Sequence, residues 1–152
     1  MVGTNQCIGP GRAKKFKEFG ILQKSLLCWH HMNGKDWDLI LTPQEYNITN
    51  KYPLLYFAAF TSQELRLMIP DELVIENVCY SIFEAKWSYG DFKLFYHNKE
   101  IRDIGRGAIY KFINENECTV RSDLLQKLLE DDRVSVNLIN KRISKFHGKV
   151  IL

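Results

Sequence analysis

The chain has 152 residues, 45% of them hydrophobic and 26% charged, with a formal net charge of +3. That hydrophobic share excludes a disordered chain, and the length points to one compact domain with a short appendage. No apolar run approaches the ~18–20 residues that a membrane-spanning helix needs.

Met1 to Gly11 contains Gly3, Gly9, Pro10 and Gly11, which disfavour regular structure, so a flexible arm is expected over residues 1–11. Arg12 to Phe19 is predicted as a short helix, with Ala13, Phe16 and Phe19 three apart and Gly20 as its stop. Ser25 to Thr42 reads as a hairpin around Asn33-Gly34, because both positions of a two-residue type I′ turn need positive φ. That turn sets Met32 opposite Lys35, His30 opposite Trp37, Cys28 opposite Leu39 and Leu26 opposite Leu41, an apolar face. Thr42 to Tyr52 is polar and expected as a loop, and Pro53 denies the apolar stretch that follows a central-strand place.

Thr61 and Glu64 form a capping box, which predicts a helix over Ser62 to Met68 that ends before Pro70. Leu73 to Trp87 and Phe92 to His97 form a second hairpin, turned at 88–91, with Tyr80, Ile82, Phe92, Leu94 and Tyr96 at alternate positions. Ile101 to Asn116 is predicted as a helix from the spacing of Ile101, Ile104, Ala108, Ile109, Phe112 and Ile113, although Gly105 and Gly107 each weaken it by ~1 kcal/mol relative to Ala. Two more helices are expected, Ser122 to Asp131 capped by Ser122, and Ser135 to Phe146 with an apolar stripe of Val136, Ile139, Ile143 and Phe146. The order implies an α+β fold: an antiparallel sheet of about four strands, made of two hairpins and covered by short helices on one face. The domain proper spans 12–117, and 118–152 is a helical C-terminal extension packed on it.

The run Ala59 to Pro70, with Phe60-Thr61, Glu64-Leu65 and Met68-Ile69-Pro70, resembles a signature of small uncharacterised proteins from bacterial phages, prophages and mobile elements. Lys15 to Gly20, Leu26 to Trp29 with Asn33-Gly34, Trp87 with Tyr96, and Ile101 to Asn116 resemble further parts of that pattern in the same order. Gly105 and Gly107 depart from it, standing where helix formers are usual. The resemblance implies a small α+β protein in a phage or mobile-element setting, and it implies no activity.

Cys7, Cys28, Cys79 and Cys118 lack the spacing of a zinc site, so reduced, mostly buried thiols and no metal or cofactor are expected. With no apolar signal-type core in Met1 to Lys24, a cytoplasmic location is expected. Pro70-Asp71 followed by Glu84-Ala85-Lys86 resembles the motif of PD-(D/E)xK nucleases, in which Asp71 and Glu84 would hold Mg²⁺ and Lys86 would steady the developing charge. The competing reading makes Asp71 a helix-end neighbour and Glu84/Lys86 a solvent-facing pair near a turn. His31, Asp36 and Asp38 are predicted on one face of the first hairpin, and His97 and His147 as isolated surface residues. The aromatic-rich strands, if exposed beside basic residues, would suit single-stranded nucleic acid.

Charge gathers at both ends. Residues 1–24 hold five cations against Glu18 alone, and residues 135–152 hold Lys141, Arg142, Lys145 and Lys149 against no acid. On the last helix Asn137, Lys141, Arg142, Lys145 and Lys149 are the candidate contacts to nucleic acid or to a protein partner, with Asp131 and Asp132 just upstream as repelling charges. The function expected first is non-enzymatic binding of a protein partner or self-association. Nucleic-acid binding through the basic helix comes second, and a Mg²⁺-dependent nuclease third.

Overall fold

The computed structural model describes residues 6–32, 36–42, 56–87 and 90–150, with Met32 and 148–150 described by backbone alone. Among the described residues the elements are, in chain order, α1 (Pro10–Glu18), β1 (Leu27–Met32), β2 (Asp36–Leu41), β3 (Tyr56–Ala58), α2 (Ser62–Met68), β4 (Glu72–Ile75), β5 (Val78–Lys86), β6 (Phe92–Asn98), β7 (Ile109–Asn114), α3 (Glu117–Glu130) and α4 (Val136–Val150). The fold is α+β with antiparallel strands throughout. A four-stranded sheet runs β4-β5-β6-β7, and the first ribbon forms a second sheet of its own, β2-β1-β3.

The first ribbon corrects the predicted register. His31 lies opposite Trp37, Trp29 opposite Leu39 and Leu27 opposite Leu41, one residue away from the two-residue-turn pairing. The slip leaves three residues, 33–35, between the strands, and these lie outside the described residues. Because side chains alternate across a strand, it also exchanges faces. Leu27 and Trp29 go to the core, with Leu39, the partner of Trp29, packed against it, while Asp36 and Asp38 share a face with His30 and not with His31. The predicted loop of 42–52 lies almost wholly outside the described residues. Beyond Pro53 the chain pairs as the edge strand β3.

The second ribbon keeps its predicted alternation. Phe92, Leu94 and Tyr96 point inward, and β4 and β5 are split by a tight turn at Glu76-Asn77, both at positive φ (51° and 67°). The predicted helix over Ile101 to Asn116 is absent. Its first half is a turn in which Gly105 and Gly107 take φ of 95° and 72°, which a right-handed helix cannot accommodate. Its second half is β7, where β-branched and aromatic residues pair with β6. Asn116 then caps α3 by accepting from the backbone N–H of Cys118 and Thr119, so this helix begins at Glu117 and not at Ser122.

α1, α2, α3, α4, β1 and the inward side of β6 contribute to one hydrophobic core that includes Phe16, Phe60, Leu65, Leu94, Leu125 and Ile139. α3 and α4 contribute Cys118, Val120, Leu124, Leu125, Leu128, Leu129, Ile139 and Ile143 to it. Within the predicted arm of 1–11, Cys7 and Ile8 are tied to the body of the fold. The Ile8 N–H donates to the Phe60 carbonyl at 3.0 Å, the indole N–H of Trp29 donates to the Ile8 carbonyl at 2.8 Å, and Cys7 bridges Thr61. Among the described residues no helix is long and apolar enough to cross a membrane.

All four cysteines are free, and Cys7, Cys28 and Cys118 are buried. Burial pushes the Cys7 thiol up to about 11 and the Cys118 thiol up to about 12, with nearby Glu64 and Cys7 respectively adding to the effect. Thiolate is the reactive form. A disulfide reagent such as DTNB at pH 8 is therefore expected to label one thiol, the half-buried Cys79, in the native protein and all four in denaturant. Rapid labelling of two or more native thiols would contradict this packing.

Candidate anion-binding face

Local rules place the residues of the nuclease-like motif close together. Asp71 follows the Pro70 stop of α2, and its carbonyl accepts from the Ile82 N–H at 2.9 Å, which aligns it with β5. Glu84 and Lys86 lie two apart on that strand and share a face. Both carboxylates are engaged by arginines. Arg66, from α2, contacts Asp71 at 2.6 Å and Glu84 at 3.0 Å, and a further nitrogen donates to the Ile69 carbonyl at 3.2 Å. Arg121, from α3, meets Glu84 at 3.2 Å and Glu117 at 3.0 Å and donates to the backbone carbonyl and hydroxyl of Ser62. Lys86 is exposed at the strand end. Among the described residues no group of three or more His, Cys, Asp and Glu gathers that could hold a metal ion. Asp71 and Glu84 thus serve as an ion-paired joint between α2, β5 and α3, and Lys86 takes no part in it. Sequence reading missed Arg66 and Arg121. Arg121 is one turn beyond Glu117, a spacing that becomes visible only once Asn116 is taken as the cap.

His147 is corrected from surface to interior. Its ring nitrogen lies 3.0 Å from Glu64 Oε2, and both side chains are buried. Glu64 Oε1 meanwhile accepts from the Ser25 hydroxyl at 2.8 Å and the Thr61 N–H at 3.0 Å. Together with Ile139 and Ile143, this contact fixes one face of α4 against the core. A second face is fixed by Asn140, which accepts from the Leu22 N–H at 2.7 Å and donates to the Gly20 carbonyl at 3.1 Å.

The remaining side of α4 is open. Asn137, Lys141, Ser144 and Lys145 are exposed, Arg142 is half-buried, and the Lys149 side chain lies outside the description. Arg142 and Lys145 wall a cavity of about 600 Å³ against Arg66, Leu67, Ile69, Phe146 and the Asp71 carboxylate, which Arg66 pairs with. Arg142 also borders a second cavity of about 300 Å³ that runs past Arg133 and Leu138 to β4. Among the described residues Arg133, Lys141, Arg142 and Lys145 form no ion pair. Of the two upstream acids, Asp131 is compensated. The Tyr110 hydroxyl donates to it at 2.9 Å and Lys127 lies 3.2 Å away, and these two hold its carboxyl below the usual range. The arrangement sets Arg142 and Lys145, beside the ion-paired Arg66, around an apolar floor, which suits an anionic ligand.

Comparison of the chain with family models, with curated proteins and with solved structures finds no match.

Proposed function

We propose that the protein is a non-enzymatic accessory protein that binds nucleic acid by its phosphate backbone, using the open side of α4. The observation that carries this reading is the set of four cations, Arg133, Lys141, Arg142 and Lys145, that no carboxylate among the described residues pairs with. Leaving Lys141, Arg142 and Lys145 together on one side of α4, with Arg133 just before it, costs stability, and a row of phosphates relieves that cost while releasing counterions. The phage or mobile-element setting implied by the sequence resemblance is part of this proposal.

Fluorescence anisotropy with a labelled duplex oligonucleotide tests it. Each phosphate contact contributes about −0.9 to the slope of log K against log salt, so K141Q/R142Q/K145Q is expected to flatten the slope by about 2–3 and to weaken binding at least ~10-fold at low salt. Absence of binding at about 50 mM salt, where phosphate contacts are strong, would sink the reading.

A second reading, binding of a protein segment, is favoured by the edge position of β4. The Asp71–Ile82 bond sets the alternation by which Glu72 and Val74 turn their backbone groups away from β5, toward the side bordered by the second cavity. An added strand there would leave duplex binding and its salt slope unchanged by K141Q/R142Q/K145Q.

A further inference from the structure

The sheet β4-β5-β6-β7 has two edges, and they differ. β7 is guarded against pairing with another chain. It carries Lys111, it holds Tyr110 at a φ of 51°, and its register against β6 breaks between Leu94 and Tyr96. β4 has none of these devices. Glu72-Leu73-Val74-Ile75 keeps an unbroken register against β5, and its charged residue, Glu72, stands at one end, ion-paired to Lys99.

The hydrogen-bond phase of β4 is fixed at both ends. The two-residue turn at Glu76-Asn77 makes Ile75 and Val78 a bonded pair, and the Ile82 N–H reaches the Asp71 carbonyl at 2.9 Å. Glu72 and Val74 therefore direct their backbone N–H and C=O groups away from β5, and among the described residues no group bonds to them.

Beside this edge lies the cavity of about 300 Å³ between β4 and the start of α4. Val134, Leu138 and Ile139 make its α4 side apolar, and Arg133 and Arg142 also line it. Leu138 is 49% exposed. The carboxylate that lines the cavity, Glu72, is held by Lys99. Asp71, beside Arg142 in the larger cavity, is held by Arg66, and Asp131 by Lys127 and the Tyr110 hydroxyl. Asp132 is exposed and pairs with neither arginine.

An extended segment laid along β4 satisfies the outward backbone groups of Glu72 and Val74. Its side chains alternate, so every second one enters the cavity while the others lie beside Val74, which is 69% exposed. The lining sets the chemistry of the inward residues: apolar against Val134 and Leu138, with carboxylates reaching Arg133 and Arg142. Nucleic acid has no ladder of N–H and C=O groups to offer this edge. A second copy of the chain, paired edge to edge, would bring its own Arg133 and Arg142 to the same groove and add like charges.

We infer that β4 is the docking edge for an extended acidic segment of a protein partner, which adds a strand to the sheet and sets apolar and carboxylate side chains into the cavity between β4 and α4. The inference rests on the second reading above, strand addition at β4, and names the chemistry of its partner.

The test is fluorescence anisotropy of the full chain with labelled synthetic peptides at about 0.15 M salt, where only short-range charge contacts persist. The first peptide, Thr-Asp-Val-Leu-Val-Asp-Thr, places Asp, Leu and Asp on one side of a strand. The second carries Lys at both Asp positions, and the third is the first with alternate backbone nitrogens methylated. The first is expected to bind, and the other two to bind at least ~10-fold more weakly, because one meets like charge and the other lacks edge donors. R133Q/R142Q is expected to weaken the acidic peptide about 5-fold or more, in line with two lost, partly exposed ion pairs. Val74→Pro deletes one outward N–H, keeps the β4–β5 bonds and should weaken it at least ~10-fold. K141Q/K145Q, which retains both cavity arginines, should leave it unchanged. Equal binding of the Lys peptide, or no effect of R133Q/R142Q while methylation still blocks binding, overturns the acidic partner and leaves strand addition standing. Failure of every peptide to bind, or binding that neither methylation nor Val74→Pro affects, overturns both. Sedimentation showing a dimer that Val74→Pro dissolves would assign the edge to a second copy of the chain and overturn the inference as well.

Discussion

Glu64→Ala is expected to destabilise the protein by about 3–5 kcal/mol, the range for removing one partner from a buried charged network. One carboxylate closes the α2 capping box, accepts from Ser25 and faces His147 on α4. Its loss leaves a backbone N–H and an imidazole inside the core without their partner, while the Ser25 hydroxyl keeps only the Ala59 carbonyl at 3.2 Å. Glu64→Gln keeps an oxygen for Ser25 and Thr61 and should recover a large part of the loss. Urea unfolding followed by far-UV circular dichroism gives both midpoints. If the alanine variant unfolds within ~0.5 kcal/mol of wild type, as ordinary surface substitutions do, the contact between α2 and α4 is not a strong one.

Phe60→Ala is expected to cost about 3–5 kcal/mol, the usual price of emptying a fully buried aromatic site. Phe60 is 0% exposed and lies 6.4 Å from the Phe16 ring, while its carbonyl receives the Ile8 N–H. The cavity would open where the N-terminal segment, α1 and the start of α2 converge. Limited proteolysis should therefore cut earlier within residues 6–20 of the variant than within α3. A loss in midpoint without this bias would mean that the segment before α1 is held by something other than Phe60.

Local chemistry made much of this fold readable. Thr61, Glu64 and Pro70 set both ends of α2, and the stripe of Ile139 and Ile143 placed α4 against the core. Alternation in Phe92, Leu94 and Tyr96 gave the inward side of the second ribbon. The failures have equally local causes. One extra residue between β1 and β2 exchanged the faces of the first hairpin. The run from Ile101 to Ile113 satisfies helical spacing, yet its glycines at positive φ end any helix, and Ile109-Tyr110-Lys111-Phe112-Ile113 pairs as a strand. The basic side of α4 was visible because it lies on one helix. The Arg121–Glu84 pair and the Glu64–His147 contact were not, since they link residues 37 and 83 positions apart.

Contacts of that reach have a bearing on how the chain acquires its shape during synthesis. Arg12 bonds to Asp123 and Gln126, and Leu22 to Asn140, across 111, 114 and 118 positions. Such closures carry a large entropic cost that only late-made partners can repay. The N-terminal region therefore gains these partners only after α3 and α4 have left the ribosome, and a nascent chain stalled before them is a natural client for holding chaperones.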